Sequence, residues 1–301
     1  MRSTAFMGTP AIAVPALRAL AELTSVRVVI TQPDRPAGRG RQLTPPPVKV
    51  AADALGLPVW QPATLRGQAG DPRLHGLDLI VVMAFGQILR EDVLALPRFG
   101  CVNLHGSLLP RWRGASPLQA ALRAGDARTG ISVMRMVRAC DAGPVYARHP
   151  FDLPADATLA WLHDRMADEA AAALRAFLAA WPPGEPEAQD ERLVTVCGKL
   201  DKADARLDAA RPAAELARQV RAYTPIPGCW IDADGTAVRI HAVEVRPATP
   251  GAVPGTASVI SGELRLHAAD GDLAVLRLQS PGGTAMPAAD WLRGHRPPAR
   301  W

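Results

Sequence analysis

The sequence predicts an α/β protein: a Rossmann-like, doubly wound and mainly parallel sheet, followed by a small C-terminal β-barrel. Three observations carry this. In the first half, short continuous apolar runs alternate with segments of helical periodicity, as when parallel strands are covered on both faces by helices. Near residue 181 the composition changes to Trp181-Pro182-Pro183-Gly184-Glu185-Pro186, a Pro-rich polar stretch of the kind that marks linkers. Beyond it, short strands are separated by Asp234-Gly235, Ser261-Gly262 and Asp270-Gly271-Asp272, the spacing of a small barrel. The expected division is a catalytic domain over 1–182, a linker over 183–203 and a second domain over 204–301.

Each element has its own warrant. Residues 3–7 form an apolar run, followed by Gly8-Thr9-Pro10 and a helix whose face carries Val14, Leu17 and Leu20. Strands follow at 26–31 and 79–83, with helices at 51–55 and 90–96. Residues 101–104 read as a further strand, 117–124 as a helix, 131–136 and 145–149 as strands, and 157–180 as a long Ala-rich helix. In the second half, Ala213, Leu216, Ala217 and Val220 lie at helical spacing within 212–222. Short strands are then expected at 229–232, 237–245, 257–260, 263–267 and 273–278.

Composition narrows the function. Apolar residues make up 48% and charged residues 21% of the 301, so the chain should fold rather than stay disordered. No run of 18 apolar residues exists for a membrane span, and Pro10 and Pro15 interrupt the only N-terminal stretch resembling a secretion signal. The four cysteines form no CxxC pair, which indicates neither zinc nor a disulfide framework and fits a reducing cytoplasm. The six histidines besides His105 have no ligand spacing, so no metal is expected. The first βα turn is Gly8-Thr9-Pro10 rather than GxGxxG, so no nicotinamide cofactor is expected either. A net charge of +5 points weakly to a polyanionic partner.

The chemistry is placed in CVNLHGSLLPRWRG, residues 101–114. In an extended run Cys101, Asn103 and His105 share one face, so an amide and an imidazole point the same way where the strand gives out. In open α/β sheets that end of a strand is where ligands bind. Both groups can donate to a carbonyl oxygen that becomes an oxyanion, as acyl or formyl transfer requires. Asp141, in the tight loop Cys140-Asp141-Ala142-Gly143, can orient and charge the imidazole or take a proton through water. A separate long loop after the second strand, QPDRPAGRGRQLTPPPVKV, carries Arg35, Arg39, Arg41 and Lys49; alone it reads equally as a solvated basic loop or a phosphate-binding one.

The segments HGSLLPRWRGASPLQ, TGISVMRM and CDAGPV resemble the formyltransferase family that uses 10-formyltetrahydrofolate. MGTPAIAVPAL, TQPDRPAGRGRQL, DLIVVMAFGQIL and LQSPGGTAM extend the match over nearly the whole chain in the family's order. The resemblance implies that Asn103, His105 and Asp141 are catalytic, that Ser107, Leu108, Leu109 and Pro110 contact the folate, and that Phe85, Gly86 and Ile88 line the pterin site. It implies methionyl-initiator tRNA as acceptor, with Arg35, Arg39, Arg41 and Lys49 on the loop that meets the acceptor stem. It also implies a second domain resembling an OB-fold that grips tRNA, and a monomer in a bacterial-type cytoplasm without membrane attachment. The chain departs from the family in Ala139-Cys140-Asp141-Ala142-Gly143, where the pattern is closer to G-[LT]-D-T-G. It departs again at Gly282-Gly283-Thr284, where a Gly-Lys segment is usual.

Two rivals follow. A formyltransferase for a small amine, such as glycinamide ribonucleotide or an amino sugar nucleotide, shares the chemistry, but needs neither the basic loop nor a C-terminal barrel. A noncatalytic RNA-binding protein predicts loss of Asn103, His105 or Asp141, and all three are present. Trp112, inside the loop, either packs it down or meets the terminal adenosine.

Overall fold

The computed structural model describes residues 2–37, 40 and 42–301. Arg39 and Arg41 of the basic loop lie outside the described residues. The chain divides into two compact units. The first takes in residues up to Pro117, Arg128–Asp152 and His163–Cys197; the second takes in Leu118–Ala127, Leu153–Leu162 and Gly198–Trp301.

In the first unit the chain forms β1 (Ser3–Gly8), α1 (Val14–Leu23), β2 (Ser25–Ile30), β3 (Arg35–Ala37), β4 (Gln42–Thr44), α2 (Pro47–Ala54) and β5 (Val59–Trp60). It continues through β6 (Leu79–Met83), α3 (Glu91–Leu94), β7 (Cys101–His105), β8 (Arg113–Gly114), β9 (Arg128–Arg135), β10 (Val145–Asp152) and β11 (Val196–Cys197). α4 (Pro117–Ala124) belongs to the second unit after its first residue, and α5 (Leu159–Ala179) belongs to the first from His163.

The main sheet runs β10-β9-β7-β6-β1-β2-β5. The strands from β5 to β7 are parallel, and β9 and β10 extend the sheet antiparallel. Every residue of β6 is buried, which is why its sequence is continuously apolar rather than alternating. Fully buried side chains such as Phe6, Met7, Leu79 and Ile80 contribute about 1.5–3 kcal/mol each, so these strands are firm mounts for whatever sits at their ends. The chain leaves β1 for β2 on one side and returns to β6 on the other. The topological switch point therefore falls between the carboxyl ends of β1 and β6, one strand away from the end of β7.

Two features depart from the sequence expectation. The basic loop is not irregular: β3 and β4 pair antiparallel, Arg35 opposite Thr44. The segment expected as a linker over 183–203 is largely built into the first unit. Val145 and Glu187 exchange backbone hydrogen bonds of 2.7 and 2.9 Å, and β11 pairs parallel with β8. Proline ends regular secondary structure there without ending contact with the sheet.

The second unit holds α6 (Ala213–Tyr223), β12 (Trp230–Ala233), β13 (Thr236–Pro247), β14 (Ala257–Ile260), β15 (Glu263–His267), β16 (Gly271–Gln279), β17 (Met286–Pro287) and α7 (Ala288–Leu292). Its antiparallel half-barrel has the order β12-β13-β16-β15-β14, with β17 added to β16. Register shifts at 240–243 of the long β13 bend and twist the sheet, as bulges do. α6 covers it with Leu216, Ala217 and Val220, the apolar positions of the helical pattern. His267 is buried, with Nδ1 2.7 Å from Asp272 Oδ1 and Nε2 3.0 Å from Ser258 Oγ.

Candidate active site

β7 lies between β6 and β9 in the middle of the sheet, with Asn103 paired to Met134 and His105 to Ser132. Their shared face follows from strand alternation, and the burial of Val102 and Leu104 fixes which way it points. The side chain of His105 is only 5% exposed. Its Nε2 lies 2.9 Å from the carbonyl oxygen of Trp112; a carbonyl can only accept, so this nitrogen carries a proton and donates. Nδ1 is thereby turned toward Asp141, 3.7 Å from Oδ1.

Asp141 arrives from the turn between β9 and β10. It adopts φ 49°, in the left-handed region that non-glycine residues seldom occupy. Asn103 Nδ2 donates to Oδ1 at 3.4 Å, while Oδ2 accepts from the Gly114 backbone N–H at 2.9 Å and from Cys140 Sγ at 3.4 Å. One carboxylate oxygen thus anchors the loop and the other faces the amide and the imidazole. Burial, reinforced by the neighbouring Asp141 carboxylate, pushes the Cys140 thiol up to about 11, so at neutral pH it is a thiol donor and not a thiolate. Gly114 has φ 117°, and a Cβ there would lie 2.1 Å from the Cys197 carbonyl oxygen, so only glycine lets this N–H reach Asp141. An oxygen placed between Asn103 Nδ2 and His105 Nδ1 would meet the amide donor and, in the doubly protonated ring, an imidazolium N–H, with the Asp141 carboxylate behind them to pair with that charge.

The SLLP loop acts largely through its backbone. The Ser107 hydroxyl donates to Arg111 O at 2.6 Å, Ser132 Oγ donates to Ser107 O at 2.7 Å, and Leu109 N donates to Ser132 Oγ at 3.0 Å. Leu109 is buried with Met134 and Val145, and its peptide bond to Pro110 is cis. Ser107 and Leu109 therefore hold the loop, leaving half-buried Leu108 and Pro110 at its surface. The turn is held down by Trp112 N, which donates to Thr195 Oγ1 at 2.8 Å, and by the Arg111 guanidinium, 4.2 Å from the centre of the Trp112 ring. Of the two roles weighed for Trp112, packing the loop is the one these contacts describe.

At the switch point, Thr9 Oγ1 and Gln32 Nε2 donate to Phe85 O at 3.0 and 3.3 Å. The Phe85 ring turns inward to the core, Gly86 takes φ 84°, and Ile88 is 90% exposed. Residues 84–88 thus offer backbone and the Ile88 side chain, rather than an aromatic face, to a ligand beside β7. Arg35 is exposed at the start of the β3–β4 ribbon and donates to Gln32 Oε1 at 3.3 Å. Lys49 is differently placed: its Nζ is 2.9 Å from Asp34 Oδ2. Gln61 donates to Asp34 Oδ1 at 2.7 Å, and these two partners, Gln61 first, hold the Asp34 carboxyl below its ordinary value.

Sequence reasoning missed the carbonyl of Trp112, the N–H of Gly114 and the side chain of Gln189. Gln189 Nε2 donates to Asp141 O at 2.8 Å and to Gly143 O at 2.7 Å. Backbone groups have no sequence signature, and Gln189 sits in a stretch whose composition reads as linker. Among the described residues no group of three His, Cys, Asp or Glu could hold a metal ion, and no helix is long and apolar enough to cross a membrane.

Comparison with known proteins follows the same division. Residues 4–178 match the formyl transferase family and residues 199–296 match the formyl transferase C-terminal domain. A methionyl-tRNA formyltransferase from Halorhodospira halophila is 48% identical, covering 97% of this chain and 96% of that protein. One from Methylococcus capsulatus is 46% identical over 96% of each. Among solved structures, an N-formyltransferase from Helicobacter canadensis, in complex with folinic acid and dTDP-3-aminofucose, is similar in fold. Its TM-score is 0.68 at 14% identity, covering 91% of this chain and 99% of that one. HypX from Aquifex aeolicus in complex with tetrahydrofolic acid gives a TM-score of 0.64 at 15% identity, over 97% of this chain and 47% of that one.

Proposed function

The chain belongs to the formyl transferase family, and on that premise we propose that it transfers the formyl group of 10-formyltetrahydrofolate to the α-amino group of methionyl-initiator tRNA. The product is N-formylmethionyl-tRNA, used in translation initiation. The observation that carries the reaction is the convergence of Asn103 Nδ2 and His105 Nδ1 on one oxygen of Asp141 at the carboxyl end of β7. The acceptor is supported by 46–48% identity over nearly the full length to methionyl-tRNA formyltransferases.

The residues divide the work as follows. Asn103 and His105 donate to the formyl oxygen as the methionyl amine adds to the formyl carbon and charge develops on that oxygen. Asp141 keeps the imidazole aligned and accepts the proton that the attacking amine sheds, directly or through a water. The bond from carbon to N10 then breaks, N10 takes a proton, and tetrahydrofolate leaves. The folate is assigned to the carboxyl end of the sheet at the switch point, where Ala84, Gly86 and Ile88 are exposed, and to half-buried Leu108 and Pro110, which follow His105 in the chain. Arg35 on the β3–β4 ribbon, together with Arg39 and Arg41 of the basic loop, meets the acceptor stem; Lys49 is paired with Asp34, just before the ribbon. Residues 204–301 act as an OB-like tRNA grip, and residues 1–182 supply the catalytic groups. The protein works as a monomer in a bacterial-type cytoplasm.

The test is formylation of methionyl-initiator tRNA, compared with methionyl-elongator tRNA, glycinamide ribonucleotide and an amino sugar nucleotide, all with 10-formyltetrahydrofolate. Initiator tRNA should be strongly preferred. Equal rates on either small amine would overturn the acceptor assignment.

A further inference from the structure

We propose that Gln189 is a positioning residue for the reaction: its one amide locks the Asp141 turn to the strand that follows Trp112, and so sets the carboxylate against His105. The proposal rests on the catalytic reading of Asn103, His105 and Asp141.

Gln189 is 8% exposed, and all its hydrogen-bonding capacity converges on this site. Both protons on Nε2 are engaged, one by Asp141 O at 2.8 Å and one by Gly143 O at 2.7 Å. Oε1 accepts from Arg113 Nε at 2.9 Å. The orientation of the amide is forced, because the flipped form would set an oxygen against two carbonyls and an NH₂ against a guanidinium N–H. Arg113 is itself anchored, its Nη2 2.8 Å from Glu191 Oε1, and it follows directly on Trp112, whose carbonyl fixes His105 Nε2. A single path thus runs from the backbone of Asp141 through Gln189 and Arg113 to the group that orients the imidazole.

The turn needs such a restraint. Asp141 is held at φ 49°, a conformation that persists only where the surroundings over-determine it. Its contacts to His105 at 3.7 Å and to Asn103 at 3.4 Å are too long to hold the turn themselves. The Gly114 N–H fixes Oδ2 and Ala142 N donates to Ala139 O at 3.3 Å, while the two shorter Gln189 bonds hold the carbonyls on both sides of Ala142.

The experiment compares Gln189→Leu and Gln189→Glu with wild type in steady-state formylation, and Gln189→Leu in an Asp141→Asn background. Gln189→Glu is nearly isosteric and keeps an acceptor for Arg113, but it replaces the donors with a charged oxygen set against two carbonyls, so it breaks the clamp even if the leucine variant folds poorly. Both single variants should lose at least about tenfold in kcat with KM for the folate changed less than about threefold, since a misaligned group lowers the transition state and not substrate binding. Once Asp141 is Asn, the leucine substitution should cost little more, because groups acting as a unit are non-additive. Wild-type kcat in folded Gln189→Glu, or full losses in both backgrounds, would overturn the proposal. If instead the wild-type protein formylates no acceptor, it is the catalytic reading that fails.

Discussion

The two regions proposed to serve this protein's substrates are built in opposite ways. Around His105 and Asp141, polar atoms are held from several directions by groups far apart in sequence: Trp112 O, Gly114 N, Cys140 Sγ and Gln189 Nε2. The β3–β4 ribbon is a short antiparallel pair with exposed Leu43, Thr44 and Arg35, the last with a long hydrogen bond of 3.3 Å to Gln32. Formyl transfer requires donors fixed before charge develops. Gripping a polyanion requires charge within reach of phosphates and gains little from rigid placement. Substitutions at the two places should therefore fail in different kinetic constants, and the size of the failure should follow how strongly each group is held.

The largest effect is expected at the strand end. Asn103→Ala and His105→Ala each remove one of two donors to the developing oxyanion. Loss of one such donor typically costs about 100- to 1000-fold in kcat, or roughly 2.7–4 kcal/mol. The check is single-turnover formylation with saturating folate and tRNA, with tRNA binding measured separately on the same variants. Near-wild-type turnover in a folded protein would remove the contrast between the two regions altogether.

An intermediate effect belongs to the ribbon. Arg35→Glu should weaken tRNA binding, raise KM for the tRNA several-fold and leave kcat close to wild type. If Arg35 neutralises one phosphate, its loss should flatten the slope of log affinity against log salt by about one. Titration of tRNA binding between low and moderate salt reads that slope directly. An unchanged slope would place Arg35 outside the interface, and a fall in kcat would mean the ribbon helps set the reacting geometry.

What was legible in the sequence follows the same line. The strands of the first unit show themselves because burial on both faces demands continuous apolar runs, as in Leu79–Met83. Asn103 and His105 are visible because alternation puts them on one face at a strand end. Asp141 stands out as a carboxylate in a turn that also needs glycine at 143, where a Cβ would lie 1.8 Å from Arg135 O. Gln189 was hidden, since its partners lie 46 to 76 residues away and nothing near it is periodic. The ribbon was hidden for a different reason: with Arg35, Pro36, Gln42, Leu43 and Thr44 all exposed, its strands have no apolar alternation to betray them. Phe85 came from the resemblance rather than from periodicity, and its ring is buried in the core while its carbonyl accepts from Thr9 and Gln32.

The smallest effect should come from Lys49, which shares the charge of Arg35 but not its situation. Its ammonium is paired with Asp34, whose carboxyl lies below its ordinary value of 3.8 because of Gln61 and then Lys49. A carboxylate whose value is lowered by folding adds stability above its unfolded value, and that stability is lost as pH falls through the folded one. Lys49→Met removes part of the cause, so the variant should melt slightly below wild type near pH 7. The gap should begin to close as pH drops below the ordinary value of 3.8 and vanish once pH has fallen through the lowered folded value, where the carboxylate is protonated in both proteins. Because the pair is partly exposed and screened, the gap should be small and should shrink with added salt. Its effect on tRNA affinity should be weaker than that of Arg35→Glu. A melting deficit that persists unchanged into acid would assign Lys49 to packing of α2 rather than to the pair. An affinity loss equal to that of Arg35→Glu would make it a phosphate contact after all, and the ribbon would then begin at α2.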